Sequence, residues 1–277
     1  MSKPCKGTAN KKNVGDGSLA DMVDIHCHIL PGVDDGSDSI ETSLEMAALA
    51  AENGTRILVA TPHCNIPNEY TNYFDEFLKR RFRELQLAVK EEEIPLQIAT
   101  GMETFGTNNL PDLLREGRVI TLNNSSYLLV EFYFGDDPDR VQMVLEGLLD
   151  EGVTPVVAHP ERYEYVRRDP ELAADWKDMG CLLQVNKGSI VGSFGGDVQD
   201  AVHYLIQQGL ADAVASDAHS PFQRTPFMEQ AYEMICDLYS VQEAQRLFWE
   251  NPLRILQDQP TISGRRRRGG MNRPDYW

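Results

Sequence analysis

The sequence predicts an α/β protein folded as a distorted TIM-like (β/α)7 barrel, and three observations carry that expectation. Short apolar, β-rich runs alternate with longer segments of helical spacing. The runs are apolar at nearly every position, as strands covered by helices on both faces must be. No glycine-rich phosphate loop is present, which disfavours an open dinucleotide-binding sheet and leaves a closed barrel.

In chain order the seven strands are MVDIHCHIL, RILVATPH, LQIATGME, YLLVEFY, TPVVAHPE, CLLQVNKGSI and DAVASDAH. Helical spacing fills SIETSLEMAALAAENG, YFDEFLKRRFRELQLAVKEE and DRVQMVLEGLLDEG between them, the first and third closing on a glycine that stops a helix. The structured body is expected over residues 21–257. Residues 1–20 are polar and Gly/Lys-rich and residues 258–277 are Gly/Arg-rich, so both are expected to be disordered tails.

Charge is divided unevenly along the 277 residues. The net charge of −17 comprises two tails of +3 each and a body of −23. An acidic body excludes nonspecific nucleic-acid binding, which needs a basic surface, and suits a protein that collects divalent metals. Five cysteines at irregular spacing, without a CxxC pair, read as reduced thiols rather than a disulfide framework. No apolar leader and no run near the ~18–20 residues of a membrane span is present, so a soluble, cytoplasmic protein is expected.

Catalytic residues of a parallel βα barrel sit where the strands end, on one rim. Metal-type side chains fall at those ends here: His26 and His28 with Asp34-Asp35 after the first strand, His63 after the second, Glu103 after the third. Glu131 follows on the fourth strand, His159 on the fifth, and Asp217 with His219 on the seventh; only the sixth contributes none. Alternation puts residues i and i+2 on one face, so His26 with His28, and Asp217 with His219, form pre-aligned chelating pairs. Five of the six histidines occupy strand ends. A lone HxH is weak evidence, but the joint pattern points to a multinuclear centre with imidazole and carboxylate ligands. His203, inside the helical run VQDAVHYLIQQG, reads as a surface or packing histidine.

The order HxH, Asp, His, Glu, Glu, His, DxH resembles the PHP (polymerase and histidinol phosphatase) superfamily. The blocks DIHCHILPGVDDGS, TPHCN, LLVEFY, AHPERY and SDAHSPFQRTP are similar to those of the capsule-class (CpsB-type) bacterial protein-tyrosine phosphatases. The resemblance covers essentially the whole body and implies a barrel of the PHP type. It implies one metal held by His26, His28, Glu103 and Asp217, with Glu103 bridging to a second held also by Glu131 and His159. A third would be held by Asp35, His63 and His219, with Asp34 the competing candidate for Asp35. Two to three divalent ions are expected, manganese first and Fe, Zn, Mg or Co as alternatives.

Two arginines lie beside these ligands in sequence, Arg162 in His159-Pro-Glu-Arg162 and Arg224 five residues after His219. A guanidinium can grip phosphoryl oxygens bidentately, and the resemblance implies that both contact substrate phosphate. The expected activity is phosphotyrosine hydrolysis by metal-activated hydroxide, on a membrane-attached bacterial tyrosine kinase of capsule or exopolysaccharide biosynthesis. Stable membrane insertion is not expected. The phenolate leaving group, with a pKa near ~10, needs little acid assistance.

Cysteine-based tyrosine phosphatases use a C-x5-R loop. The residues six beyond each cysteine are Lys11, Val33, Tyr70, Lys187 and Gln242, never arginine. Cys27 reads as a packing residue, and Cys64 stays open, with a place near the site conceivable. Tyr133, Tyr163 and Phe222 are candidates to flank a phenyl ring. Rival readings are a small-phosphomonoester hydrolase acting on histidinol phosphate, a metal-dependent amidohydrolase, and an inactive binding module. The amidohydrolase would want a carbamylated lysine where Glu131 stands, and Lys187 lies on the wrong strand. The Arg265–Arg268 run is read as a solvated tail in preference to a lipid contact, and Tyr276 is a candidate for phosphorylation.

Overall fold

The computed structural model describes residues 20–264. Seven strands run in sequential order with every ladder parallel: β1 (Met22–Cys27), β2 (Thr55–Ala60, resuming at His63–Cys64), β3 (Gln97–Thr100, resuming at Glu103–Phe105), β4 (Tyr127–Glu131), β5 (Thr154–Ala158), β6 (Leu182–Asn186) and β7 (Ala213–Ala215). β7 returns to β1 through a single parallel bridge between Cys27 and Ala218 rather than a ladder. Asp217 N–H donates to the His26 carbonyl at 2.9 Å there, and His28 N–H donates to the Ala218 carbonyl at 2.8 Å.

Alternation sorts the strand residues into two apolar layers. Val23, Ile25, Val59, Ala99, Leu129, Val156, Ala158, Leu182, Ala213 and Ala215 form the inner core, with Ile255 and Leu256 of the C-terminal helix Asn251–Leu256 packed into it. The intervening residues, such as Leu58, Leu128, Val130, Val157, Leu183 and Val214, face outward against the helices. The inner layer is therefore filled with side chains, and the titratable groups of the site gather at the strand ends.

The helices begin where capping residues predict. The helix Ile40–Glu52 is capped by the Ser39 hydroxyl accepting from Thr42 N–H, Glu76–Glu91 by the Asp75 carboxylate, and Pro138–Asp150 by the Asp137 carboxylate. Gly54 and Gly152 follow the first and third of these at φ +90° and +81°, conformations that favour glycine.

The packed body reaches past residue 257. Asp258 accepts from Ser126 N–H at 2.7 Å, the Tyr127 hydroxyl donates to the Gln259 carbonyl at 2.9 Å, and Ile262 N–H donates to Asn251 Oδ1 at 2.7 Å. Cys5 and the first 19 residues, the Arg265–Arg268 run and Tyr276 lie outside the described residues.

Candidate metal centre

Strand alternation alone delivers most of the site. Ile57 and Val59 continue through Thr61 to His63, Ala99 through Gly101 to Glu103, Leu129 to Glu131, and Ala213 and Ala215 to Asp217, each on the inner face. Two strands need a correction. On β1, Val23 and Ile25 face inward, so simple alternation would turn His26 and His28 outward. A bulge intervenes: Asp24 opposes Leu58 and Cys27 opposes Ala60, three steps on β1 against two on β2. Asp24 Oδ1 pins it, accepting from His26 N–H at 3.2 Å and Ser216 N–H at 3.0 Å. On β5, Ala158 faces inward and His159 follows directly; a left-handed backbone at φ +36° turns its ring in. Asp217 and Arg224 share that region at φ +49° and +50°, so left-handed backbone recurs around the site.

All nine expected ligand residues meet at one place. His26 Nε2 and His28 Nε2 lie 3.3 Å apart, each 3.1–3.2 Å from Glu103 Oε2 and 3.5 Å from Asp217 Oδ1. His63 Nδ1 is 2.9 Å from Glu131 Oε1 and 3.1 Å from Glu103 Oε2, and His159 Nε2 is 2.9 Å from Glu103 Oε1. Asp35 Oδ1 lies 3.5 Å from both His63 Nε2 and His219 Nε2. Three groups of donor atoms close enough to share a cation result: His28, Asp35, His63 and His219; His26, His28 and Asp217; His63, Glu103 and Glu131. His159 joins them through Glu103. Asp35 belongs to the first group, whereas Asp34 Oδ2 accepts from His28 Nδ1 at 2.8 Å and from His63 N–H at 2.9 Å.

The hydrogen bonds behind the ligands fix which nitrogen faces the centre. A carboxylate only accepts, so Asn186 Nδ2 must donate to Asp217 Oδ2 (2.6 Å). Asn186 Oδ1 then accepts from Gln184 Nε2 (2.9 Å), and Gln184 Oε1 accepts from His26 Nδ1 (2.8 Å). His28 Nδ1 likewise donates to Asp34. In their neutral forms both rings thus present bare Nε2 lone pairs to each other and to two carboxylate oxygens, in a site where His26 and His28 have no exposure. That arrangement is repulsive unless a cation or protons lie between. His63 Nδ1 and Glu131 Oε1 add to this: 2.9 Å apart, they lack hydrogen-bond geometry toward each other or any other group, as do His159 Nδ1 and His219 Nε2. The donor set therefore fits divalent ions of the kind that take nitrogen and oxygen ligands.

Without cations, protons take their place. Burial and the charge of His28 push the His63 imidazolium down, yet Glu103 and Glu131 outweigh both and hold it up at about 9. His28 is raised well above its ordinary value because the carboxylates of Asp34, Asp217 and Glu103 overcome its burial. Glu103 is held well below the usual carboxylate range by His26, His63 and His159 despite its burial. Metal uptake must displace these protons, so affinity rises as pH climbs toward 9.

The sixth strand places no residue in the donor groups, but its Gln184 and Asn186 hold the ligands from behind, a role the sequence reading did not assign. Their signal was present in the sequence: with Leu182 they occupy every second position of β6, on the inner face. Gln184→Leu removes the acceptor that holds the His26 proton on Nδ1, and should weaken metal affinity by about 10–100-fold. Isothermal titration of the metal-free variant measures it, and an unchanged affinity would show that His26 needs no such anchor.

Arg162 and Arg224 both reach the site, with Nη1 of Arg162 3.3 Å and Nη2 of Arg224 2.5 Å from Asp217 Oδ2. Together with Asn186 they occupy that oxygen, leaving Oδ1 toward the histidines. The Arg162 guanidinium lies between the rings of Phe134 and Phe194, 4.6 and 4.5 Å from their centroids, an aromatic clamp that sequence reading missed. Tyr163 is fully buried and accepts from Phe132 N–H at 3.1 Å, so it is a core residue and not a wall for a phenyl ring. Tyr133 and Phe222 are exposed.

Cys27 is buried in the outer core, with the Ala218 carbonyl 3.7 Å from its sulfur. Cys64 is buried beside the Thr71 carbonyl, and burial pushes its thiol up to about 12, so neither is poised as a thiolate nucleophile. His203 sits on the helix Gly196–Gln207 with its Nδ1 3.0 Å from the Tyr239 hydroxyl, as a packing histidine.

Comparison with known proteins gives one family. The family described as capsular polysaccharide synthesis, CpsB/CapC, matches residues 22–257. The tyrosine-protein phosphatase CpsB of Streptococcus pneumoniae is 33% identical over 243 residues, covering 86% of this chain and 99% of its own. Among solved structures, a chain from the crystal structures of YwqE from Bacillus subtilis and CpsB from Streptococcus pneumoniae, described as unique metal-dependent tyrosine phosphatases, superposes with a TM-score of 0.82. It is 31% identical and covers 87% of this chain and 97% of its own. A D-hydantoinase superposes at a TM-score of 0.52 with 12% identity, covering 83% of this chain and 69% of its own, which is a likeness of fold alone.

Proposed function

The chain belongs to the CpsB/CapC family of capsular polysaccharide synthesis, and from that premise and the geometry of the rim we propose that it is a metal-dependent tyrosine-protein phosphatase. One observation carries the reading: nitrogen and carboxylate donors from five strand ends converge in groups within 4.8 Å, with two arginines directly beside them. An anionic phosphoryl group needs both features.

The ligand assignment is the one the family resemblance implies, and the donor groups support it in part: His26, His28 and Asp217 fall in one group and Asp35, His63 and His219 in another. His26, His28, Glu103 and Asp217 would hold one ion, Glu103, Glu131 and His159 a second, and Asp35, His63 and His219 a third. Manganese heads the candidates for a centre of mixed imidazole and carboxylate ligands. When bound, such ions lower the pKa of water and neutralise phosphoryl charge.

The protein's own groups do the rest. Arg162, held over the rings of Phe134 and Phe194, and Arg224 turn from Asp217 Oδ2 to the phosphoryl oxygens and stabilise the charge that builds there. Gln184, Asn186 and Asp34 fix the rings and the carboxylate that face the centre. The departing tyrosine oxygen is a phenolate and leaves without a protein acid, which agrees with the absence of an obvious general acid among the named residues.

The physiological substrate proposed is the phosphotyrosine of a membrane-attached bacterial tyrosine kinase, met at the cytoplasmic face. Among the described residues no helix is long and apolar enough to cross a membrane. Lys187 does not lie at the fourth strand end, where Glu131 stands, so the amidohydrolase reading lacks its bridging lysine. The deciding experiment compares a phosphotyrosine peptide with histidinol phosphate, with manganese and after chelation. Metal-dependent turnover favouring the peptide is expected; a strong preference for histidinol phosphate would remove the assignment.

A further inference from the structure

Beside the rim, in the outer layer next to β7, lies a cavity of about 600 Å³ whose walls include Lys187, Ser193, Phe194, Ser216, Arg224 and Phe227. Three of these residues join it to the centre. Arg224 pairs with Asp217, Ser216 directly precedes Asp217, and Phe194 stacks on Arg162.

Two cations, Lys187 and Arg224, stand in its walls. The Lys187 ammonium is largely buried, and the hydroxyl of Thr225 at 3.3 Å is its one hydrogen-bond partner among the described residues, with no carboxylate in ion-pair reach. Arg224 Nε is buried and unpartnered, although Nη2 of the same guanidinium is engaged. Glu229 also lines the cavity but pairs with neither cation. A buried cation costs free energy unless an anion meets it, and a lysine and an arginine lining one cavity are suited to a single oxyanion. Phe194 and Phe227 supply apolar walls against which a methylene stem packs.

We propose that this cavity is a second subsite, which takes a carboxylate side chain flanking the phosphotyrosine of the protein substrate. The inference rests on the phosphatase reading above. Arg224 is the shared element: one face of its guanidinium serves the phosphoryl group and its Nε the neighbouring acid, so both ends of the recognised segment are held by one side chain. Burial lowers the Lys187 ammonium to about 8, which leaves it charged at neutral pH.

The test uses two phosphotyrosine peptides that differ only by Glu or Gln at the positions flanking the phosphotyrosine, with free phosphotyrosine as the reference. The wild-type protein with manganese should prefer the Glu peptide by about tenfold in kcat/KM. Lys187→Met should bring the Glu peptide down to the level of the Gln peptide and leave free phosphotyrosine unchanged. Ser193 is exposed at the cavity edge, so Ser193→Glu tests the same point without disturbing the buried lysine, and should reverse the preference.

Hydrolysis of free phosphotyrosine with equal rates on the two peptides overturns the subsite and leaves the phosphatase reading standing. No hydrolysis of any phosphotyrosine substrate overturns the phosphatase reading instead. If Lys187→Met only relieves inhibition by inorganic sulfate, with the peptide preference intact, the cavity holds a free oxyanion and the substrate assignment is wrong.

Discussion

Glu103→Gln should reduce kcat on phosphotyrosine by about 10³-fold or more and lower the number of metal ions retained, because Glu103 stands at the hub of the site. Its Oε2 lies 3.1–3.2 Å from His26, His28 and His63, and its Oε1 2.9 Å from His159. Among the described residues no other carboxylate pairs with four imidazoles. Gln keeps the shape but removes the charge that joins two ligand groups, a loss of several kcal/mol of electrostatic stabilisation. Elemental analysis alongside single-turnover kinetics separates the two effects. Full metal content with near-normal turnover would mean that Glu103 is not a bridging ligand. The metal-free fold should also feel the change: Glu103 raises the His63 proton affinity, so that pair stabilises fully below ~6.5 and is lost as pH rises through about 9. Thermal melts of the chelated protein should show Glu103→Gln flattening that dependence.

Arg162→Ala should lower kcat by about 10²–10³-fold while metal content stays at the wild-type level, if Arg162 has the proposed role on the phosphoryl group and not on the ions. Arg162→Lys should recover little. An ammonium cannot fill the planar slot between Phe134 and Phe194 or present two parallel donors, so the aromatic clamp works only for a guanidinium. A lysine variant with more than about a third of wild-type kcat would show that point charge alone suffices, and would assign the clamp to packing. Steady-state kinetics on a phosphotyrosine peptide, with the same preparations assayed for metal, measures both.

These expectations draw unequally on sequence and structure. The ligand types and their strand-end positions were legible because a parallel barrel places its chemistry where inner-face periodicity meets the loops; His63, Glu103, Glu131 and Asp217 all obey that rule. Gln184 and Asn186 obeyed it too, and escaped notice because neutral amides carry no metal-ligand signature. The Phe134–Arg162–Phe194 stack joins segments some 30 residues apart in different loops, and nothing local marks it. Tyr163 follows Arg162 in sequence yet turns into the core, where its hydroxyl accepts from Phe132 N–H.

The sequence by itself determined the kinds of donor atoms, the βα succession that carries them to one rim, and the family blocks that point to phosphotyrosine. Tertiary structure decided which way each donor faces. The β1 bulge between Asp24 and Cys27 and the positive φ of His159 turn histidines inward that simple alternation would send out, and only the folded strands place Asp34 behind His28 and Asp35 beside His219. The physical reason is that periodicity is a property of one strand, whereas a bulge, a tautomer and a shared carboxylate exist only once a second strand or loop lies against it.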